Sequence, residues 1–440
     1  MSAVGGALTT AVAILFIVSF LADLSGLHSN PYFGIVLFLL LPGLFVVGLL
    51  LIPLGAAIER WRRRRGKAPT NWPRIDLNDP VHRQRTGMAI ALTVVNVVIV
   101  SLAAYGGVEY METPSFCGQV CHVAMKPEFV AHQWSSHARV ACTSCHIGKG
   151  ATSAAGAKLA GVRRMIATVR DNHPRPIPPP RENAVPARET CEQCHWPEHR
   201  HGDRIRRIVE HAGDEANSES VTTLVMHVGG GSARLGGTSG IHWHMNVANQ
   251  IDFVSTDAAR ETIPSVRLTA ADGTVREYRT PGVTDEQLAA GVRRRMDCMD
   301  CHNRPSHPIA ASAARAVDEA LTEGALPKLP FIKREAVSAL EGAHGDEASA
   351  LAGIARVLGD FYKDRPRQDA QQGEIDRAID AVRSLYLRNV FPEMKVTFGT
   401  YPSQIGHVSA PGCFRCHDGE HATKDGRTIS QDCALCHTIE

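Results

Sequence analysis

The chain has 440 residues, enough for more than one domain, and its formal net charge of +2 gives no indication of a nucleic-acid-binding protein. Its 12 cysteines fall into six close pairs, while its longest apolar runs all lie before residue 110. These two features organise the rest of the sequence.

Three apolar runs open the chain, at about residues 4–24, 33–57 and 88–104. Each has the length that a helix needs to cross about 30 Å of hydrocarbon. A cleaved signal peptide is the alternative for the first run, but residues 1–10 lack the Lys or Arg of a positive n-region. The sequence therefore predicts three transmembrane helices.

The orientation follows from the distribution of charge. Residues 59–87 carry nine Lys or Arg, including four in a row at 62–65, whereas residues 28–31 carry none. Basic loops stay on the cytoplasmic side of a membrane, so the 59–87 loop and the N-terminus are predicted to be cytoplasmic. The position of the Arg run between two spans argues against a nucleic-acid patch or localisation signal. The chain after about residue 106 is predicted to lie outside the cytoplasm, in the periplasm or an equivalent space.

Five of the cysteine pairs have the spacing C-x-x-C-H, which is typical of covalent haem c attachment. The two thiols reach the two vinyl groups of one porphyrin, and the following His lies beneath the iron. The sixth pair, CGQVCH at 117–122, has one extra residue between its cysteines. The regular motifs occupy residues 142–146, 191–195, 298–302, 413–417 and 433–437.

Zinc sites and disulfides also use paired cysteines, but neither requires the His that follows the second Cys in all six pairs. Six covalent haem c groups are therefore predicted. The thioether cysteines are Cys117, Cys121, Cys142, Cys145, Cys191, Cys194, Cys298, Cys301, Cys413, Cys416, Cys433 and Cys436. The proximal iron ligands are His122, His146, His195, His302, His417 and His437.

A second axial ligand would give a six-coordinate iron suited to electron transfer, and thirteen further His follow residue 109. His242 and His244 would lie on one side of the chain if that segment were an extended strand. The distal-ligand candidates are Met125, His137, His242, His244, His307, His407 and His421. The polar surroundings of five other His predict solvated side chains, namely His173, His199, His201, His211 and His344.

Periodicity predicts limited regular structure beyond the motifs. Residues 221–228, 250–255 and 265–279 have strand patterns, the last with a D-G turn, so a small β insert is expected at 221–280. Amphipathic helices are expected at 310–323, 346–363 and 374–389. The predicted fold class is three transmembrane helices plus a haem-cored cytochrome domain, mostly α and irregular.

The segment CHVAMKPEFVAHQWSSHARVACTSCHIG after a membrane helix, together with CEQCH and the C-x-x-C-H-x-x-x-x-H of 298–307, resembles the NapC/NirT/NrfH family of membrane quinol dehydrogenases. The stretch 390–421 resembles longer multihaem members. The resemblance implies a four-haem core at 109–310. With the sequence patterns above, it predicts three further regions: a three-helix membrane anchor at 1–108, a helical insert at 311–395 and a two-haem module at 396–440. The family's short members have one membrane helix and four haems.

The resemblance also implies residue roles. Met125 would be the distal ligand of the first haem, although it follows the motif His by three residues where members often have two. His137 would serve the haem of His302, and His307 the haem of His195. Lys158 stands at the spacing of a quinol-pocket Lys. The expected acidic residue seven positions later is Met165 here, so Glu128 is a candidate substitute, and Lys126 completes the quinol-site candidates.

Electron transfer from membrane menaquinol or ubiquinol, through six haems, to a periplasmic or membrane redox partner is the predicted function. Such a chain would be a quinol oxidoreductase or an electron-transfer subunit of one, placed in the inner membrane of a respiratory system. Two alternatives stay open: a haem-wiring subunit of a larger respiratory or photosynthetic complex, and a terminal multihaem reductase with an open iron site.

Overall fold

The computed structural model describes residues 2–24, 40–66, 76–120, 122–147, 170–178, 187–195, 202–229, 240–246, 249–342, 345–363 and 372–440, with 160, 161, 163, 164 and 166–168. Its contacts divide the chain into two compact units, Met1–His122 and Val123–Glu440. Described residues are mostly helical, and they include two small antiparallel sheets.

The first unit consists of long apolar helices, α1 (Ser2–Leu24), α2 (Leu41–Arg64) and α3 (Pro80–Met111). Helices α1 and α2 approach closely at small residues, since a Cβ on Gly5 would lie 2.7 Å from the carbonyl oxygen of Gly48. Helix α3 begins at Pro80 after the cap residue Asp79, whose carboxylate accepts a hydrogen bond from the Val81 N–H.

Among the described residues, two helices are long and apolar enough to cross a membrane, Leu41–Arg62 and Pro80–Met111. Helix α1 contributes a shorter apolar stretch, Val4–Ser19. Most apolar side chains of α3 are exposed, including Ile90, Val97 and Leu102. Exposed apolar surface of this extent suits a lipid environment better than water. The 28–31 loop used in the orientation argument lies outside the described residues.

The second unit opens with helical segments that carry or precede the cysteine motifs. These are α4 (His122–Gln133), α5 (Cys142–His146) and α6 (Ala187–Cys191), followed later by α7 (Asp285–Ala290) and α8 (Cys298–Cys301). Thr284 and Asp297 cap α7 and α8 with reciprocal side-chain and backbone hydrogen bonds.

Four amphipathic helices form the largest apolar core of the second unit, α9 (Ala313–Thr322), α10 (Ile332–Glu341), α11 (Glu347–Lys363) and α12 (Gln372–Asn389). Apolar residues at helical spacing, such as Ile354 and Leu358 on α11, are fully buried. The helices expected at 310–323, 346–363 and 374–389 are thus confirmed, while α10 was not predicted.

Two antiparallel sheets lie in the second unit. One has the strand order β1 (Arg204–His211), β2 (Glu219–Met226) and β7 (His437–Ile439). The other has the order β5-β4-β3-β6, and its strands are β3 (Gln250–Ser255), β4 (Ser265–Thr269), β5 (Val275–Arg279) and β6 (Val292–Arg295).

The strand patterns at 221–228, 250–255 and 265–279 correspond to β2, β3 and the β4–β5 hairpin, whose turn contains Gly273 with φ +82°. Strands β1, β6 and β7 were not predicted. The His242–His244 segment is a 3-10 turn, Ile241–Met245, rather than an extended strand. Its two His therefore do not share one side in the way that the strand interpretation required.

Candidate haem sites

Short helical turns hold the cysteine motifs. The His N–H donates to the carbonyl of the first Cys in three motifs, at 2.8 Å for His195 to Cys191, 2.8 Å for His302 to Cys298 and 3.0 Å for His417 to Cys413. This one-turn hydrogen bond brings both thiols and the imidazole of a C-x-x-C-H segment toward the same region, as porphyrin attachment requires.

The irregular first motif lies in a wider turn. Residues Phe116–Val120 form a π-helical turn, which accommodates one more residue than an α-helical turn. Cys121 itself lies outside the described residues, and the His122 side chain is not described.

In each of the five regular motifs, the proximal His lies near the imidazole of a second His. The distance between the two ring centroids is nearly the same in all five pairs. Two imidazoles bound to opposite sides of one metal at about 2 Å would have ring centroids about 6 Å apart. The observed separations are 6.1 Å for His146–His307, 5.9 Å for His195–His137, 6.5 Å for His302–His242, 5.8 Å for His417–His244 and 6.2 Å for His437–His407.

Hydrogen bonds orient several of these rings through Nδ1. His244 Nδ1 lies 2.7 Å from the Ile241 carbonyl oxygen, and His417 Nδ1 lies 2.7 Å from that of Ser430. His307 Nδ1 lies 2.9 Å from the carbonyl of Glu128. A metal-binding His commonly donates one ring N–H to such a carbonyl, which leaves the lone pair of Nε2 for the metal.

Burial also keeps these imidazoles in the form that binds iron. It lowers the pKa of His146, His244 and His307 below the ordinary value, although the carboxylate of Glu128 opposes the effect at His146 and His307. A neutral imidazole retains a lone pair for coordination, whereas the protonated ring has none.

The pairs differ from those that the resemblance implied. His137 lies beside His195, whereas the resemblance assigned it to the haem of His302. His307 lies beside His146, whereas the resemblance assigned it to the haem of His195. The 3-10 turn Ile241–Met245 directs His242 toward the fourth motif and His244 toward the fifth. One turn can therefore supply ligands to two neighbouring haems.

The structure gives His421 a different environment from the other distal candidates. Its Nδ1 lies 3.0 Å from both carboxylate oxygens of Asp418, and its Nε2 lies 2.7 Å from the Ile263 carbonyl oxygen. The residue is 1% exposed. With both nitrogens hydrogen-bonded, His421 has no nitrogen left for iron, so we omit it from the ligand set.

Two other His were misjudged or missed. His211, expected to be solvated, is buried against Asp318, with its Nδ1 3.3 Å from the carboxylate. His132 received no role from its spacing, yet its ring lies 6.1 Å from that of His307. Its Nε2 is 3.1 Å from the Val140 carbonyl oxygen, which favours a structural role. His199, His201 and His344 lie outside the described residues.

The thiols of successive motifs are neighbours. Burial raises the pKa of Cys145, and the nearby Cys194 of the third motif adds to the rise. A hydrogen bond between Cys191 and Cys298 links the third and fourth motifs, raising the pKa of Cys191 and lowering that of Cys298.

Thiols of successive motifs are also neighbours from the fourth motif to the sixth. Burial is the largest cause that raises the pKa of Cys301 to about 11 and that of Cys416 to about 12, and a thiol of the other motif contributes to each rise. Burial raises the pKa of Cys436, with Cys413 of the fifth motif contributing. The second to sixth motifs thus follow one another in space in their sequence order.

The quinol-site candidates have separate environments. Lys126 forms an ion pair of 2.6 Å with Glu347, and both side chains are well exposed. Glu128 is largely buried and binds Arg304 at 3.0 Å, while its carboxylate also lies 3.3 Å from His307 Nδ1. Met125 is partly buried on α4, and Lys158 lies outside the described residues.

The donor arrangement suits porphyrin iron better than a bare metal ion. Within the described part of the chain, no group of three or more His, Cys, Asp or Glu side chains converges on a single metal position. A zinc site requires about four such ligands around one point. The imidazole pairs instead leave the equatorial positions to another ligand, as haem c provides.

Comparisons with known proteins agree with this chemistry. The description "NapC/NirT cytochrome c family, N-terminal region" matches residues 80–175. The chain is 40% identical over 447 aligned positions to cytochrome c-type protein ImcH of Geobacter sulfurreducens, covering 99% of this chain and 86% of that protein. No solved structure matches the chain.

Proposed function

Because the chain belongs to the NapC/NirT family of c-type cytochromes, for which electron transfer through covalently bound haem is the common role, we propose that it carries electrons from membrane quinol to a periplasmic or membrane redox partner. Six haem c groups and the quinol substrate are parts of this proposal. Bound haem iron supplies one-electron transfer.

The observation that carries the proposal is the series of five imidazole pairs with centroid separations from 5.8 to 6.5 Å. Saturating both axial positions with His favours electron transfer over substrate binding. The terminal-reductase alternative needs an open axial position, and the five regular motifs each have a second imidazole at hand. The sequence order of neighbouring motifs supports a single path from the second motif to the sixth.

We propose that electrons enter at the first motif, whose ligands would be His122 and Met125. The motif follows α3 directly in the sequence, so a lipid-soluble reductant at the membrane surface could reach it. The Glu128 carboxylate forms an ion pair with Arg304 and lies beside His307 Nδ1. We therefore assign it the role of orienting His307 rather than that of accepting protons from quinol. Lys126, with a well-exposed ion pair, and Lys158 remain candidates for quinol contact.

The proposed placement is the inner membrane, with the N-terminus and the basic 59–87 loop on the cytoplasmic side and the motifs in the periplasm. Three spans are proposed, of which α2 and α3 meet the length and hydropathy required. The proposed regions are an anchor at 1–108, a four-haem core at 109–310 with a β insert at 221–280, a helical insert at 311–395 and a two-haem module at 396–440.

The test uses the full chain in liposomes. Mass spectrometry should show the added mass of six haem groups, and menaquinol or ubiquinol in the bilayer should reduce the haems in stopped-flow absorption. Dithionite gives the total reducible haem as the control. Complete reduction by dithionite with none by either quinol would refute quinol oxidation. It would favour a subunit that transfers electrons between the redox centres of a larger complex.

A further inference from the structure

The third residues of the fourth and fifth motifs have opposite charges and meet inside the protein. These residues are Asp300 in CMDCH and Arg415 in CFRCH, and they are 3% and 9% exposed. Nη2 of Arg415 donates to the Asp300 carbonyl oxygen at 2.5 Å. The guanidinium of one motif therefore contacts the backbone of the other directly.

The remaining donors of Arg415 extend this connection. Nη1 donates to the carbonyl of Arg260 at 2.9 Å, and Nε donates to that of Gly412 at 2.8 Å. One rigid guanidinium thus joins its own turn, Gly412–Arg415, to two other backbone segments, for which its planar set of donors is well suited. A lysine, with a single nitrogen on a flexible stem, cannot make the same three contacts with this geometry.

Arg260 completes the connection from the other direction. Its Nη1 donates to Asp300 Oδ1 at 2.9 Å while its carbonyl accepts from Arg415. The backbone of Arg260 is left-handed, with φ +60°, which is unfavourable for a residue other than glycine. We name Arg260, Asp300 and Arg415 the inter-motif clasp.

The charges of the clasp do not cancel. Arg294 also binds Asp300, at 3.2 Å, and Asp297 binds Arg294 at 2.7 Å. Three guanidinium groups therefore face two carboxylates, and Arg415 donates its hydrogen bonds to the backbone carbonyls of Gly412, Arg260 and Asp300. Of these groups only Asp300 and Arg415 are buried, so solvent screens the charge of Arg415 least. A buried positive charge favours the less positive, reduced form of nearby iron.

We propose that Arg415 is a positioning residue that fixes the fourth and fifth haem motifs against each other and whose buried charge raises the reduction potentials of both haems. This inference rests on the proposed function, because it assumes haem c at both motifs. The contacts of the 3-10 turn Ile241–Met245 with both motifs support their adjacency independently.

The test compares Arg415→Met, which removes the charge, with Arg415→Lys, which retains charge but not the three contacts. Arg427→Met is the matched control, since Arg427 is exposed and pairs with Asp425 at 3.2 Å. Potentials are measured by redox titration followed by absorption and EPR, and His242→Ala and His244→Ala identify the fourth and fifth haems by their change of spin state.

Arg415→Met should lower two of the six potentials and leave the other four unchanged. Arg415→Lys should largely retain the potentials but slow electron transfer from the fourth haem to the fifth after flash reduction. Potentials and rates equal to those of the wild type and Arg427→Met in both variants would overturn the inference.

Asp300→Asn provides a second route if Arg415→Met fails to fold, because it preserves side-chain shape and removes a negative charge. It should shift the same two potentials upward, and no shift, or a downward one, would contradict the inference. Wild-type protein that lacks haem at motifs four and five would instead refute the proposed function, so the two failures are distinguishable by mass.

Discussion

The imidazole rings of His137 and His195 lie 5.9 Å apart, centroid to centroid, and Nδ1 of His137 is 3.3 Å from the Pro305 carbonyl oxygen. On this separation we propose His137 as the second ligand at the third motif, and His307, which lies 6.1 Å from His146, as that at the second. The family resemblance implied other partners for both residues, so the two assignments predict different outcomes.

Replacing His137 by Ala should convert the third haem from low-spin to high-spin, because its iron would lose one axial ligand. EPR of the purified protein should show one high-spin haem. In a Cys191→Ala, Cys194→Ala background, which lacks the third haem, the additional replacement should produce no high-spin signal. A signal that persists in that background would support the assignment to His302 instead.

His242 and His244 should act on different haems although one residue separates them. The turn Ile241–Met245 places His242 6.5 Å from His302 and His244 5.8 Å from His417. Each single Ala variant should produce one high-spin haem, and the double variant should produce two. His173→Ala, in which the lost ring contacts Arg175, is the control and should produce none. One high-spin haem in the double variant would mean that both residues serve the same site.

His421→Ala should destabilise the protein without changing haem ligation. The substitution leaves the buried Ile263 carbonyl without the His421 donor, at a cost of about 1–3 kcal/mol in the free energy of unfolding, while the Asp418 carboxylate keeps the backbone N–H groups of residues 420 and 421. Denaturant titration measures the loss, and EPR should still show every low-spin haem of the wild type. Appearance of a high-spin haem would return His421 to the ligand set.

Gly412→Ala should disrupt the fifth motif. Gly412 has φ +52°, and a Cβ there would lie 1.5 Å from the Gly406 carbonyl oxygen, so the backbone must move. Gly273→Ala is the matched control, because Gly273 has φ +82° but open space around its Cβ position. The control should lose only about 1–2 kcal/mol from the left-handed conformation. The Gly412 variant should lose more, and mass spectrometry should show incomplete attachment of one haem.

Glu128→Gln should cost more stability than Lys126→Gln. Glu128 and Arg304 are 15% and 17% exposed, and removing the carboxylate leaves the guanidinium unpaired at a cost of about 3 kcal/mol. The Lys126–Glu347 pair is exposed and should contribute only about 0–1 kcal/mol. Comparable losses in denaturant titrations of the two variants would show that solvent screens Glu128 as it does Lys126.

Much of the molecule was determined by local sequence. The Cys pairs with a following His predicted the haem c chemistry, because attachment requires only residues within one turn of chain. The periodicity of hydrophobic residues predicted α9, α11, α12 and the β4–β5 hairpin, because that pattern also lies within one local stretch of the chain. It missed β1 and β7, whose short or highly charged sequences form strands only by pairing with β2.

Only the tertiary structure decided which His faces which motif. A distal ligand is a contact between residues far apart in sequence, so spacing could nominate His137, His307 and His421 but not assign or exclude them. The same holds for His211, whose polar neighbours in sequence indicated solvent while folding buried it against Asp318. The sequence also indicated no role for Arg415. Its contact with the Asp300 backbone joins two motifs that are far apart in sequence, so only the folded chain reveals it.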